Sequence, residues 1–518
     1  MKIKYFFSLV LFWSYGLYAN NIQVSNVTLT GQDPVNNFTL VQFDLSWENS
    51  WRLGSGPSNW DAAWVFIKYR ENGGPWQHAK LNYVDGTAAS DGHTQPSGCT
   101  INTSSDQTGC FVYRDAVGSG NISWTGIQLK WDYGANGVDD ESMIDIKVLA
   151  IEMVYIPQGS FPLGTRGATG SDETDQFYLY IGGSGATQSY VFSEGQITIG
   201  NPNTNTSGLY YETTSSFNSG DQQGPIPAAF PKGYAAFYVM KYEVSEEQYI
   251  IFFNMLPDAA KASYDITGFD AKDANSTVSR NTIQKISGSG YGWLSTAAPS
   301  RSVSFINWRM MGGYLDWCGL RPFTELEYEK MCRKPGTSLP VAKAYPWGNT
   351  LINSVRYTIS NDGAENATIN FPGVGLGNSN YSATSIGAAG SGPLRVGIFA
   401  ASAVTKNREE TGASYYGVME LGGNLFERCI SVGSSDNRSF TGLHGDGELN
   451  ASSFYDQNVL NWPAPGTQSL GPRAFRGGSH NTPADRVRIS DRYAACADNT
   501  FSSAQISQLG IRGARTAE

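Results

Sequence analysis

Side chains that usually carry catalysis are few in this chain, and they are scattered. Its four histidines, His78, His93, His444 and His480, include no pair at metal-ligand spacing. No G-x-S-x-G elbow presents a serine nucleophile, and no histidine stands as an obvious base for one. Six cysteines occur without a single C-x-x-C, which argues against a zinc ribbon or a dithiol redox centre. Cys99 and Cys110 bracket a Thr/Ser/Asp/Gly-rich loop and are expected to close it as a disulfide. The pairing of Cys318, Cys332, Cys429 and Cys496, which lie far apart, stays open. The greatest chemical variety lies in residues 473–515, from Arg476-Gly477-Gly478-Ser479 to Leu509-Gly510-Ile511-Arg512, with small polar side chains between. Gly477 and Gly478 permit the positive φ and close backbone approach of a turn that joins two strands. His480, directly after that turn, either lines a pocket or is a lone surface histidine.

The elements that must position this loop can be read from composition and periodicity. At 518 residues the chain has room for two or more domains, and 59 glycines with 13% aromatics and 16% charged residues suit a loop-rich, strand-heavy protein. A net charge of −10, with no dense Lys/Arg run, excludes a phosphate-neutralising nucleic-acid partner. Lys2 and Lys4, the apolar run from Tyr5 to about Tyr15 and the small-residue exit at Ala19 read as a secretory signal over 1–19. The mature chain is therefore expected to be secreted, periplasmic or on the cell surface, and no later stretch is long enough to span a membrane.

Residues 20–150 read as an immunoglobulin- or fibronectin-like β-sandwich. Strands are expected at Val41–Trp47 and Trp64–Tyr69, and where Ile127, Leu129 and Trp131, then Ile144, Ile146 and Val148, alternate with polar residues. A second domain, 151–518, opens at Met153-Val154-Tyr155-Ile156 and carries a Gly/Ser/Thr/Asn-rich insertion at about 164–231. Its helices announce themselves by capping boxes: Ser245 with Gln248, and Thr324 with Glu327. A further helix is expected from Ile306 to Trp317.

Several of these segments together resemble the sulfatase-modifying, or formylglycine-generating, enzyme domain. The resemblance runs in order through Met153–Gly164, Lys241–Ser245, Gly319-Leu320-Arg321-Pro322-Phe323-Thr324-Glu325-Leu326-Glu327, Tyr345-Pro346-Trp347-Gly348-Asn349, Gly422-Gly423-Asn424-Leu425-Phe426-Glu427 and the closing Arg-Gly-Gly-Ser frame. It implies an irregular α+β fold related to C-type lectins. The family's oxidases hold copper(I) with two cysteines just beyond Arg-Gly-Gly-Ser. Those places fall here near Thr482 or Pro483 and near Val487 or Arg488, none of them Cys, so copper is not expected. Relatives with an H-x-x-x-H-x-E iron set find no counterpart among the four histidines.

The same resemblance implies a calcium ion held by the side chains of Glu420 and Glu427 and the carbonyls of Gly423 and Leu425, an oxygen set that suits a hard cation. The alternative is a Glu pair salt-bridged to a nearby Arg. A second family calcium site would draw on the Asn361-Asp362 region. The lost cysteine pair beside a kept frame points to a non-catalytic module that binds a protein, small-molecule or glycan ligand. Its recognition face would use His480, Asn481, Thr482, Asp485, Asp491, Tyr493, Asp498 and Asn499. The alternative is a divergent oxidase or sulfatase-modifying factor acting through an unidentified metal site.

Overall fold

In the strand Phe38–Arg52, Val41, Phe43, Leu45 and Trp47 alternate with less buried residues and are themselves fully buried, as a strand with one inward face requires. The computed structural model describes residues 21–165, 176–183, 185–211, 221–268, 271–286, 293–370, 372–384, 391–463, 474–495 and 506–518. The expected signal segment lies outside them. Phe38–Arg52 is the centre of a three-stranded antiparallel sheet, with Gln23–Asp33 on one edge and Gly118–Trp131 on the other. Its inward residues share a core with Ala63, Val65, Ile67 and Tyr69 of the strand Asp61–Glu71.

Asp61–Glu71 belongs to a second, seven-stranded sheet. The strands run in the order Ala514–Thr516, Phe237–Met240, Ile144–Ile156, Asp61–Glu71, Cys110–Arg114, Cys99–Thr103, with Gln77–His78 also on Asp61–Glu71. Both faces of Asp61–Glu71 are covered. Ala62, Trp64 and Phe66 point into a different core, the main one, built with the helices of the C-terminal part. The strand Ile144–Ile156 runs straight through residue 150. One edge pairs with Asp61–Glu71, and Met153 to Ile156 on the other edge pair with Phe237–Met240. The two expected domains thus share one continuous sheet.

The register of the Cys99–Thr103 and Cys110–Arg114 pair corrects the expected disulfide. Cys99 faces Arg114 and Cys110 faces Thr103, at opposite ends of the ladder. That separation is about 13 Å at ~3.3 Å per residue, roughly twice the reach of a disulfide. Both are free, buried thiols.

The helices form where their caps place them. Glu246–Met255 starts at Ser245 and Glu325–Cys332 at Thr324, each with both hydrogen bonds of a capping box. Trp308–Trp317 is capped by Asn307, whose side chain accepts from the Met310 amide at 2.9 Å. The described part of the insertion is not a loose appendage. Phe177, Val191, Leu209 and Tyr211 from its short strands are buried in the main core. Among the described residues no helix is long and apolar enough to cross a membrane.

Candidate functional site

The short strand Ala474–Arg476 pairs antiparallel with Glu427–Cys429, placing Arg428 opposite Phe475 and Glu427 opposite Arg476. Arg476 is fully buried and reaches the helix Glu325–Cys332, donating to Glu325 at 3.2 Å and Glu329 at 2.9 Å. The chain then turns through Gly477 (φ 78°), where a Cβ would stand 2.3 Å from the Leu421 carbonyl. Gly423 is equally constrained, since a Cβ there would lie 2.3 Å from the Ser379 hydroxyl. Its amide donates to the Gly477 carbonyl at 2.7 Å, and the His480 amide donates to the Asn424 carbonyl at 2.8 Å. The loops 420–427 and 477–482 are therefore stitched together backbone to backbone.

Beside this seam lies a cavity of about 300 Å³. Phe426, Phe475, Pro483, Tyr493 and Leu509 supply most of its apolar wall, and Thr482, Arg486, Asp491 and Gln508 its polar groups. Arg486 pairs with Asp491 at 2.9 Å and stacks over Tyr493 with its guanidinium carbon 3.6 Å from the ring centre. Burial lifts the Asp491 carboxyl to about 6 against the pull of that arginine.

The residues expected to form the recognition face divide around this cavity. Thr482, Asp491 and Tyr493 line it. His480 is buried, with Nδ1 at 2.9 Å from the Ser391 hydroxyl and Nε2 at 3.1 Å from the Ser507 carbonyl. Burial holds its pKa down to about 4, so it is a neutral, fully engaged ring and no surface group. Asn481 is exposed, and Asp485 sits half-buried on the 3₁₀ turn Ala484–Val487; the cavity wall contains neither. Asp498, Asn499 and Cys496 fall outside the described residues. The residues that sequence reasoning left out are Phe426, Phe475, Arg486, Gln508 and Leu509, whose only signal was their place beside the family frame.

The places that the resemblance gives to the copper cysteines fall near Thr482 or Pro483 and near Val487 or Arg488; Thr482 hydrogen-bonds Ser479, accepting from its amide at 2.8 Å and donating to its carbonyl at 3.0 Å. Val487 is buried among Tyr345, Trp347 and Tyr381. Elsewhere, Cys318, Cys332 and Cys429 are buried free thiols, and burial pushes Cys332 up to about 12, far from a thiolate at neutral pH.

None of the implied calcium ligands lines the cavity. Glu420, at φ 54°, accepts from the Gly397 amide at 2.9 Å through Oε1, while its buried Oε2 has no hydrogen-bond partner. Glu427 accepts from Arg512 Nε at 2.7 Å. A third buried carboxylate, Glu243, which the sequence did not bring forward, accepts from the Leu425 amide at 3.0 Å and from the Asn424 side chain. Burial first, with Glu427 nearby, lifts Glu243 to about 8, and burial lifts Glu420 to about 7. Among the described residues no three His, Cys, Asp or Glu side chains converge closely enough to hold a metal by themselves. Asp362, from the other implied calcium region, is instead clamped by Arg280 at 2.7 Å and Arg301 at 2.8 Å.

The profile of the sulfatase-modifying factor enzyme 1-like domain matches residues 146–517. The chain belongs to this family. No curated protein matches it. Within the family frame, the match begins inside the Ile144–Ile156 strand, and so takes in one of the strands of the shared sheet.

Proposed function

We propose that this sulfatase-modifying-factor-like chain is an exported, non-catalytic binding protein. In this reading it takes a small molecule, or a group projecting from a protein or glycan, into the cavity beside the Gly477-Gly478 turn. The N-terminal strands serve as an immunoglobulin- or fibronectin-like sandwich that supports it. The observation that carries the reading is the replacement at the family's reactive position. Where the family resemblance calls for two soft thiolates, near Thr482 or Pro483 and near Val487 or Arg488, no cysteine stands; Thr482 is tied to its own turn and Val487 is packed among three aromatic rings. A walled apolar cavity with a few polar groups persists beside them, which is the usual form of a ligand site. The test is incubation of the purified protein with copper, oxygen and a C-x-P-x-R peptide, followed by mass spectrometry. The peptide mass is expected to stay unchanged; conversion of its cysteine to the aldehyde would establish the divergent-oxidase alternative instead.

Calcium at Glu420 and Glu427, with the Gly423 and Leu425 carbonyls, is part of the same proposal. What supports it is the orphaned, buried Glu420 Oε2, beside the buried carboxylates Glu243 and Glu427. A bound cation would supply the missing partner and fix the loop that backs the cavity.

A further inference from the structure

Three ionisable side chains meet where the N-terminal strands and the C-terminal part share their sheet. Asp61 opens the strand Asp61–Glu71 and faces Val154 of Ile144–Ile156, while Glu152, two residues before Val154, faces Ala63. Lys241 directly follows the strand Phe237–Met240, and its amide donates to the Glu152 carbonyl at 2.9 Å. This register puts all three side chains on one face of the sheet. Lys241 Nζ lies 3.2 Å from Glu152 Oε2 and 3.4 Å from Asp61 Oδ2, and all three residues are buried.

The surroundings equip these groups to react with one another. The Asp61 carboxyl is held by three donors: Oδ1 accepts from the Ser50 hydroxyl at 2.7 Å and the Trp51 amide at 3.0 Å, and Oδ2 from the Trp47 indole at 3.0 Å. Fixed donors of this kind draw electron density away from the carboxyl carbon and stabilise charge that develops on its oxygens. The Trp51 ring covers the amine, its centre 4.6 Å from Nζ. Burial lifts the Glu152 carboxyl to about 7, so it can take up and release a proton near neutrality. An amine, a polarised carboxyl and a proton carrier thus stand in contact, away from water.

The geometry points to a covalent cross-link: an isopeptide bond between Lys241 Nζ and the Asp61 side chain, formed by the folded chain itself with Glu152 as the proton carrier. The Lys241 nitrogen bonds to the Asp61 carboxyl carbon, Oδ2 leaves, and Oδ1 stays as the amide oxygen in the hold of Ser50 and Trp51. Of the three ammonium protons, two depart with Oδ2 as water, one of them by way of Glu152, and one remains on the amide nitrogen. Nothing is oxidised or reduced, and no co-reactant is needed. Fixed contact drives the step, since effective molarities of intramolecular reactions reach about 10⁵–10⁸ M. A neutral amide also replaces two desolvated charges, which an interior disfavours. With Lys241 neutralised, Glu152 keeps its proton more firmly, in the direction in which burial already pushes it. The bond fastens residue 61 to residue 241 across the middle of the shared sheet, and it does not depend on the reading of the cavity.

Mass spectrometry of the denatured, full-length mature protein tests it. The intact mass is expected to fall short of the sequence mass by one water, and a tryptic digest to contain a branched peptide joining the Asp61 and Lys241 segments. Glu152→Gln, which keeps the size of the side chain but cannot carry the proton, is expected to lose the water about 10²-fold more slowly or not at all. A wild-type digest that yields the two segments only as separate linear peptides overturns the cross-link. So does a missing water that maps to any other pair of residues. An undiminished rate in Glu152→Gln overturns the proton-carrier role. Should that variant not fold, the wild-type digest still decides whether the bond exists, and the rate in Glu152→Asp, which keeps a carboxyl further from Nζ, is expected to fall in its place; an unchanged rate there overturns the role of Glu152.

Discussion

Glu420 and Arg428 lie eight residues apart in the chain, and each keeps buried polar atoms unsatisfied, Oε2 in one and Nε with Nη1 in the other. Interiors rarely tolerate such atoms, because each forfeits its hydration without compensation. The calcium reading makes a direct prediction. Calcium chloride should raise the melting temperature and EGTA should reverse the rise, with a stabilisation of about 2.7 kcal/mol once calcium reaches a hundred times its dissociation constant. Glu420→Gln should lose the response while still folding, since its remaining oxygen can accept the Gly397 amide. A response that persists in this variant would place the ion elsewhere.

Among the elements, the helix Glu325–Cys332 does most to hold the site in place. All eight of its residues are buried, including Glu325, Glu327, Glu329 and Lys330. Glu327 closes the capping box and also receives Arg321 at 2.7 and 2.9 Å. Glu325 receives Arg492 at 2.8 Å and Arg476 at 3.2 Å. Through Arg476 the helix fixes the strand from which the Gly477-Gly478 turn departs. Glu325→Ala would remove the carboxylate that Arg492 and Arg476 share, leaving Arg476 with Glu329 and the Ile489 carbonyl, so it should cost about 3–5 kcal/mol, read as a lower denaturant midpoint with the slope unchanged. A cost below about 1 kcal/mol would mean the network is dispensable. The helix was legible in the sequence because Thr324 and Glu327 state its start locally, as do Ser245 and Gln248 for Glu246–Met255. The strands were legible where apolar and polar residues alternate. Contacts set by pairing across the chain were not. Nothing near residue 150 says that Ile144–Ile156 continues unbroken, and nothing near Cys99 says that its ladder places Arg114 opposite it. The cavity was half legible: Thr482, Asp491 and Tyr493 lie in the loop that the frame marks. Phe426 and Phe475 were not legible, because only the pairing of Glu427–Cys429 with Ala474–Arg476 brings them together.

The molecule as a whole is tied across the shared sheet by buried polar groups. Trp64 donates to the Cys318 carbonyl at 2.8 Å, Asn59 to the Tyr416 carbonyl at 2.7 Å, and Arg515 to Asp106 at 2.6 Å. At the centre of the seam Lys241 lies 3.4 Å from Asp61 and 3.2 Å from Glu152, all three buried. Burial lifts the Glu152 carboxyl to about 7 although Lys241 pulls it down; Asp61 and Glu48, facing it, add to the rise. An acid whose folded pKa is raised holds its proton in the native state after the unfolded chain has lost it. Its contribution to stability is therefore complete below the unfolded value near 4.5 and disappears as pH rises through about 7. The buried histidines act in the other direction. His93 and His480 are both held near 4, so their contribution grows as pH rises and is complete above the unfolded value near 6.5. Above pH 6.5 the unfolded histidines still titrate, and Glu420, Asp316 and Glu243 share the slope with Glu152, so the part of Glu152 is read from a variant that fixes its neutral form. The melting temperature of the wild type relative to Glu152→Gln should fall from pH 6.5 to 8. Parallel melting curves for the two proteins over that range would show that Glu152 is ionised throughout, its charge balanced by Lys241 even at the buried seam.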